Sequence, residues 1–174
     1  MKAIKIITIA IICAMLFTGA ASATKIVKNG YEIKLYTDAG VYKSRMYIPG
    51  LLDYEFKNNM IYTITASEFR TYDVSSGFAS QKYYAKGNYW DIDLVSGTSE
   101  GSVFLGTVNG AQQFKIAKAT GWKPTGISAV YKPALTIKSV VADSGGVKLY
   151  SLDGQRFQYF WKSDGFLILT DAWL

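Results

Sequence analysis

The sequence predicts an all-β fold made from one repeated unit, and three observations carry that reading. Runs such as Tyr31-Glu32-Ile33-Lys34-Leu35-Tyr36 alternate apolar and polar side chains and stop at Gly, Asn-Gly or Pro signals, the signature of half-buried strands closed by turns. After residue 23 no stretch shows the 3.6-residue apolar stripe of a helix. Finally, Lys34-Leu35-Tyr36, Arg70-Thr71-Tyr72, Gln112-Gln113-Phe114 and Lys148-Leu149-Tyr150 echo one another at spacings of 36, 42 and 36 residues, each running into a glycine turn. Self-similarity at such a period marks a supersecondary unit repeated around or along an axis.

Each unit resolves into strands in order. Lys25-Ile26-Val27, Tyr31 to Tyr36 and the segment up to Gly50 form the first; Met60 to Ala66, Phe69 to Val74 and Phe78 to Ala85 the second. Ser102 to Val108, Ala111 to Ala117 and Gly126 to Tyr131 form the third, with the loop Lys118 to Thr125 between its last two strands. In the fourth, Val147 to Gly165 matches Ile33 to Gly50 with one insertion, and Ser139-Val140-Val141 matches Lys25-Ile26-Val27. A further strand precedes each full unit: Leu51 to Phe56, Tyr89 to Leu94, Leu135 to Lys138 and Phe166 to Thr170.

Four antiparallel strands in roughly 40 residues is the size of a β-propeller blade, so the expected architecture is a small propeller of four four-stranded blades. The first unit lacks its leading strand, and Phe166 to Thr170 reads as a leading strand without a blade. The two chain ends together supply one further period of 37 residues, which predicts ring closure by pairing the N- and C-terminal strands and removal of exposed edges. The alternatives are half of an eight-bladed ring completed by a second copy, end strands exchanged between subunits, or a β-sandwich or up-and-down barrel.

Asp53, then Phe69-Arg70-Thr71-Tyr72-Asp73-Val74-Ser75-Ser76-Gly77 and Tyr89-Trp90-Asp91-Ile92-Asp93-Leu94, resemble the blades of LVIVD-like extracellular propeller repeats. There an inner strand with an early Asp leads to an outer apolar-Tyr-Asp-Val pattern and a Ser/Gly turn. The resemblance implies a propeller acting outside the cytoplasm. It covers most of residues 24–174, and Thr136 and Ile168 depart from it where the early Asp is expected. Trp90-Asp91 is not read as a WD40 pair, because it opens an inner strand.

The N-terminus has Lys2 and Lys5, an apolar run from Ile6 to Phe17 and Ala21-Ser22-Ala23, the three parts of a secretory signal peptide. Residues 1–23 are read as the signal and 24–174 as one repeat domain, with no membrane span once the signal is removed; a retained signal anchor is the alternative. Either reading places the domain outside the cytoplasm: secreted, periplasmic or on the cell surface. The single cysteine, Cys13, lies in that leader, so stability must come from apolar burial rather than disulfides. The chain's net charge of +6 is spread along strands without a basic cluster, which argues against nucleic-acid binding.

The chain has no histidine, the commonest general base and transition-metal ligand. Without a cysteine beyond the leader either, no cofactor and no metal is expected. Asp53 and Asp91 stand at matching places in consecutive units, with Asp93 two residues on; they read either as oxygen ligands at a channel mouth or as acceptors for backbone N–H groups of the next blade, the latter favoured. Among the aromatics, Tyr89 and Trp90 alternate faces, and Trp122, in the loop Thr120 to Pro124, is the one least explained by packing. Asp53, Asp91, Tyr89, Trp90 and Trp122 are therefore the candidate ligand-binding residues, and no residue is assigned a catalytic role. The expected function is a non-enzymatic interaction module for a protein or glycan ligand. Self-assembly into a homo-oligomeric ring or filament, or a carboxylate-dependent hydrolase, are the alternatives.

Overall fold

The structure, a computed structural model, describes residues 25–161 and the backbone of residues 167–173. Its strands form four antiparallel sheets. The first holds β1 (Lys25–Asn29), β2 (Glu32–Tyr36) and β3 (Tyr42–Tyr47); the second β4 (Leu51–Lys57), β5 (Met60–Thr65), β6 (Glu68–Asp73) and β7 (Ser80–Lys86). The third holds β8 (Tyr89–Ser96), β9 (Glu100–Thr107), β10 (Gly110–Ala117) and β11 (Ala129–Tyr131); the fourth β12 (Ile137–Asp143), β13 (Gly146–Ser151), β14 (Arg156–Trp161) and β15 (Leu167–Trp173). Within each sheet the strands follow chain order, as short hairpin connections dictate.

Apolar side chains fill the spaces between consecutive sheets. Ile33, Leu35 and Ile48 meet Leu51, Ile61 and Val74 between the first and second. Met60, Tyr62, Ile64 and Phe69 meet Tyr89, Ile92, Val103, Leu105, Phe114 and Ile116 between the second and third. Phe104 and Ala111 meet Ile137, Val140, Val147, Leu149, Phe157 and Tyr159 between the third and fourth. Full burial of a ring such as Phe69, Phe104 or Phe114 contributes about 2–3 kcal/mol each, and these three layers stand in for the disulfides the chain lacks. Alternation sends one face of every middle strand to each neighbouring sheet, which is why all of β5, Met60–Thr65, is buried.

The leading strands β4, β8 and β12 are the innermost. β8 packs beside both β4 and β12, and these strands run in the same direction, since Asp91 reaches Val140 and Asp93 reaches Ala142. The chain passes from one sheet to the next over the turn joining the two middle strands: Tyr89 N–H donates to Ala66 O at 3.3 Å. Ile48 N–H donates to Tyr31 O, in the β1–β2 turn, at 2.9 Å. By this correspondence β1, β2 and β3 match the second, third and fourth strands of the later sheets, and the first sheet has no inner strand among the described residues.

Three sequence expectations change. β15 pairs with β14, with Phe160 opposite Ile168 and Trp161 opposite Leu167, so Leu167 to Thr170 is the outer strand of the fourth sheet and does not close a ring onto β1; Phe166 lies outside the described residues. The free edge of β14 is only a five-residue connection away, which favours local antiparallel pairing over reaching a distant sheet. Second, Leu135 to Lys138 and Ser139 to Val141 are not separate strands, because Ile137–Asp143 is continuous. Tyr150 consequently lies on the second strand of its sheet, whereas Tyr72 and Phe114 lie on the third; the fourth echo is displaced by one strand. Third, Gly126 to Tyr131 contracts to Ala129–Tyr131, which pairs only with Ala111, Gln112 and Gln113.

Candidate functional site

The three inner strands share one irregularity. Pairing steps from Leu51↔Thr65 to Asp53↔Ile64, from Tyr89↔Thr107 to Asp91↔Gly106, and from Ile137↔Ser151 to Ser139↔Tyr150. Each step is a bulge at the strand's second residue, and a bulge leaves that residue unpaired and re-aims its side chain. Leu52, Trp90 and Lys138 are the residues set free, and all three are exposed, Leu52 at 45 % and Trp90 at 48 %. The residue before each bulge pairs with a buried hydroxyl residue, Thr65, Thr107 or Ser151, which aligns the three strands residue by residue. Parallel inner strands with bulges at their starts place Leu52, Trp90 and Lys138 at the same end of the three strands, the mouth.

Below that mouth lies a ladder of carboxylates. Val140 N–H donates to Asp91 Oδ2 at 2.8 Å and Ala142 N–H to Asp93 Oδ2 at 2.7 Å, so two aspartates of β8 take the place of backbone pairing between neighbouring inner strands. Gly106, opposite Asp91, makes the approach of β12 feasible: a Cβ there would sit 2.5 Å from Ile137 O. On β4 the same two positions are Asp53 and Glu55. Burial first, then the repulsion of Asp91, raises the Asp53 carboxyl above its ordinary value, although Tyr54 N–H donates to its Oδ1 at 2.8 Å. Glu55 is pushed up to about 7, by burial and then by Asp93, Asp53 and Asp91. On β12 the matching positions are Ser139 and Val141, and among the described residues no inner strand follows β12.

The sequence-derived candidates separate into surface and core. Trp90 is on the mouth. Asp91 is bonded to Val140, and Asp53 lies against Asp91, so both belong to the interface between inner strands. Tyr89 is buried, packed 6.4 Å from the Phe69 ring, with its hydroxyl donating to Lys86 O at 3.2 Å; it is core and offers no face to a ligand. Trp122 also has a packing role, contrary to expectation. It lies against the layer between the second and third sheets, and its carbonyl accepts the Tyr62 hydroxyl at 2.6 Å. The loop bends back at Gly121 (φ 65°) and Trp122 (φ 62°), which turns the indole inward.

Sequence reasoning passed over Leu52, Lys138 and Glu55. A usable signal was present: Asp53-x-Glu55 and Asp91-x-Asp93 occur at the same offset from a strand start, each preceded by the residue that the bulge expels. Among the described residues no group of acidic side chains has a metal-binding arrangement. Elsewhere a shallow groove beside Thr136 and Leu152 contains one carboxylate, Asp153. Its pKa is held below the ordinary value by hydrogen bonds from Ser151 and then Gln155.

One three-stranded and three four-stranded antiparallel sheets in succession define a propeller-like all-β protein. No protein-family model matches the sequence, and no curated protein matches it. Solved structures do share the fold. The N-terminal domain of Nup159 is similar with a TM-score of 0.55 and 10% identity over 85% of this chain and 40% of that one. A functionally unknown protein from Desulfotomaculum acetoxidans DSM 771 has a TM-score of 0.53 and 11% identity over 86% of this chain and 50% of that one. BBS1N, solved in complex with ARL6DN, has a TM-score of 0.52 and 13% identity over 84% of this chain and 50% of that one. The chain thus spans half or less of the length of these propeller-like structures.

Proposed function

We propose that this protein is a non-enzymatic interaction module acting outside the cytoplasm, with its binding surface at the mouth formed by Leu52, Trp90 and Lys138. The observation that carries this reading is the triple bulge. Three separate strands each give up a ladder position to expose a large side chain at the same end, and an exposed Trp beside an aliphatic and a cationic side chain has the composition of a protein-contact hot spot. The acids below the mouth support the non-enzymatic reading: Asp91 and Asp93 are occupied by backbone N–H groups. Two structures of the same fold class were solved with protein partners, Nup159 with dbp5 and gle1 and BBS1N with ARL6DN, which adds general support for protein binding. The leader predicted over residues 1–23 supplies the extracellular assignment.

A photo-crosslinking amino acid at Trp90, with the same group at Ile127 as control, tests the reading in cells that express the protein. A discrete crosslinked partner from position 90 only is the expected result; identical profiles from both positions would remove the mouth from consideration. Self-assembly is the second reading, favoured by the absence of an inner strand beside β1 among the described residues. Its test is the mass in solution, where the interaction-module reading expects the 19.2 kDa chain, less any leader removed, to sediment as a monomer.

A further inference from the structure

The first sheet differs from the other three in one respect that carries a prediction about a ligand. Among the described residues nothing pairs with the edge of β1 opposite β2. In the other sheets that edge is covered by β4, β8 or β12. An unpaired strand edge is a template for another strand, and the internal repeat states what such a strand has to look like.

Asn29, at the end of β1, corresponds to Thr65 at the end of β5, so Lys28 corresponds to Ile64 and Ile26 to Tyr62. In the second sheet Asp53 faces Ile64 and Glu55 faces Tyr62; in the third, Asp91 faces Gly106 and Asp93 faces Phe104. A strand seated on β1 in the same register therefore places its two bridging positions opposite Lys28 and Ile26. Lys28 is the charged residue at the first receiving position, where the later sheets have Ile64, Gly106 and Tyr150, and a cation directly across from a bridging carboxylate is a favourable cross-strand pair. Its ammonium, a three-donor group, spends one bond on Leu52 O at 2.7 Å, which holds it at the gap between β1 and β4. On β4 the residues matching Val140 and Ala142 are Tyr54 and Phe56. Tyr54 N–H is met by Asp53 of its own strand, as Leu94 N–H is by Asp93 of its own, whereas Val140 N–H is met by an aspartate of the preceding inner strand.

We infer that β1 receives an extended segment of a partner protein, antiparallel to β1, carrying two carboxylates two residues apart that pair with Lys28 and bridge to the backbone of Tyr54 and Phe56. The partner's alternate apolar side chains face away from the second sheet. Residues 1–24 contain no Asp or Glu, so they cannot supply the two carboxylates. The inference rests on the interaction-module reading and names the chemistry of one partner.

The test uses a capped peptide with the sequence of residues 88–96, Asn-Tyr-Trp-Asp-Ile-Asp-Leu-Val-Ser, as a strand probe. Binding to the protein is followed by fluorescence anisotropy and by amide chemical shifts. The expected result is saturable binding that shifts the amides of β1 together with Tyr54 and Phe56. Converting both peptide aspartates to asparagine, or Lys28→Glu in the protein, should each weaken binding about tenfold, and a peptide with lysine at the first acidic position should recover affinity for the Lys28→Glu protein. Absence of saturable binding, indifference to the acid-to-amide change, or shifts confined to other surfaces would overturn the inference. If Trp90 still captures a discrete partner while the peptide fails, the strand inference falls and the interaction reading survives; if both fail, both fall.

Discussion

Glu55 is the residue whose environment departs furthest from its ordinary state. Its carboxyl is half-buried between inner strands and faces Asp53, Asp91 and Asp93, and its pKa rises from 4.5 to about 7. The folded protein therefore binds a proton at Glu55 that the unfolded chain releases, and stability tied to it is fully present below about pH 4.5 and lost as pH rises through about 7. Asp53, also raised, adds to the effect with the same sign. After discounting for partial exposure the effect of Glu55 is about 1–2 kcal/mol. Glu55→Gln should accordingly raise the melting temperature at pH 8 and leave it nearly unchanged at pH 4, as thermal unfolding followed by circular dichroism would register. An equal gain at both pH values would show that Glu55 ionises freely. Nothing in the sequence reveals this shift, because it arises from four acids on two strands that are about 40 residues apart.

At the scale of the element, β4 and β8 are each built of three parts: a bulge that expels one side chain, an apolar face turned to the preceding sheet, and two carboxylates at alternate positions. Tyr54 and Phe56 on β4 and Ile92 and Leu94 on β8 supply the apolar face. Gly106 is a condition of that arrangement, since β12 passes so close that a Cβ would contact Ile137 O. Gly106→Ala should force the strands apart and cost about 1–3 kcal/mol, read as a lower urea midpoint at unchanged m-value; an unchanged midpoint would mean that β12 can shift without loss. Alternation and turn signals made most strands legible from sequence, and β5, β6 and β10 lie within a residue or two of their expected limits. The short β11 is shorter than expected because Gly126, Ile127 and Ser128 read as strand by composition, yet ladder pairing with β10 begins at Ala129, after Ser128 bonds Gln113 O. Trp122 was misjudged for a related reason. Its inward turn depends on left-handed backbone at Gly121 and Trp122 and on the Tyr62 hydroxyl, a contact 60 residues away.

For the whole molecule, repetition predicted the sheets and misjudged how the series ends. The first three echoes mark equivalent strands, and Tyr150 does not, so a spacing of 36 residues there reflects a long connection before β12 and not one more full unit. The C-terminal strand completes its own sheet, and the missing inner strand remains at the other end of the series, beside β1. β12, last of the inner strands among the described residues, has Ser139 and Val141 where β4 has Asp53 and Glu55 and β8 has the bridging acids Asp91 and Asp93; it is not equipped to clasp a further inner strand in the manner of β8. Among the described residues the arrangement is an ordered stack of three interfaces with one unfilled position, and both proposals for function place a partner at or beside the inner strands.

The placement of β15 decides whether that position is unfilled, and engineered cysteines can read it because the only native one, Cys13, lies before the described residues. In a Cys13→Ser background, Gln158→Cys with Asp171→Cys places two thiols at directly opposite positions of β14 and β15, whereas Val27→Cys with Asp171→Cys joins β1 to β15. Mild oxidation should crosslink the first pair rapidly within one chain and leave the second pair reduced. Rapid crosslinking of Val27→Cys with Asp171→Cys, within a chain or between two chains, would contradict the account by showing that β15 covers the edge of β1.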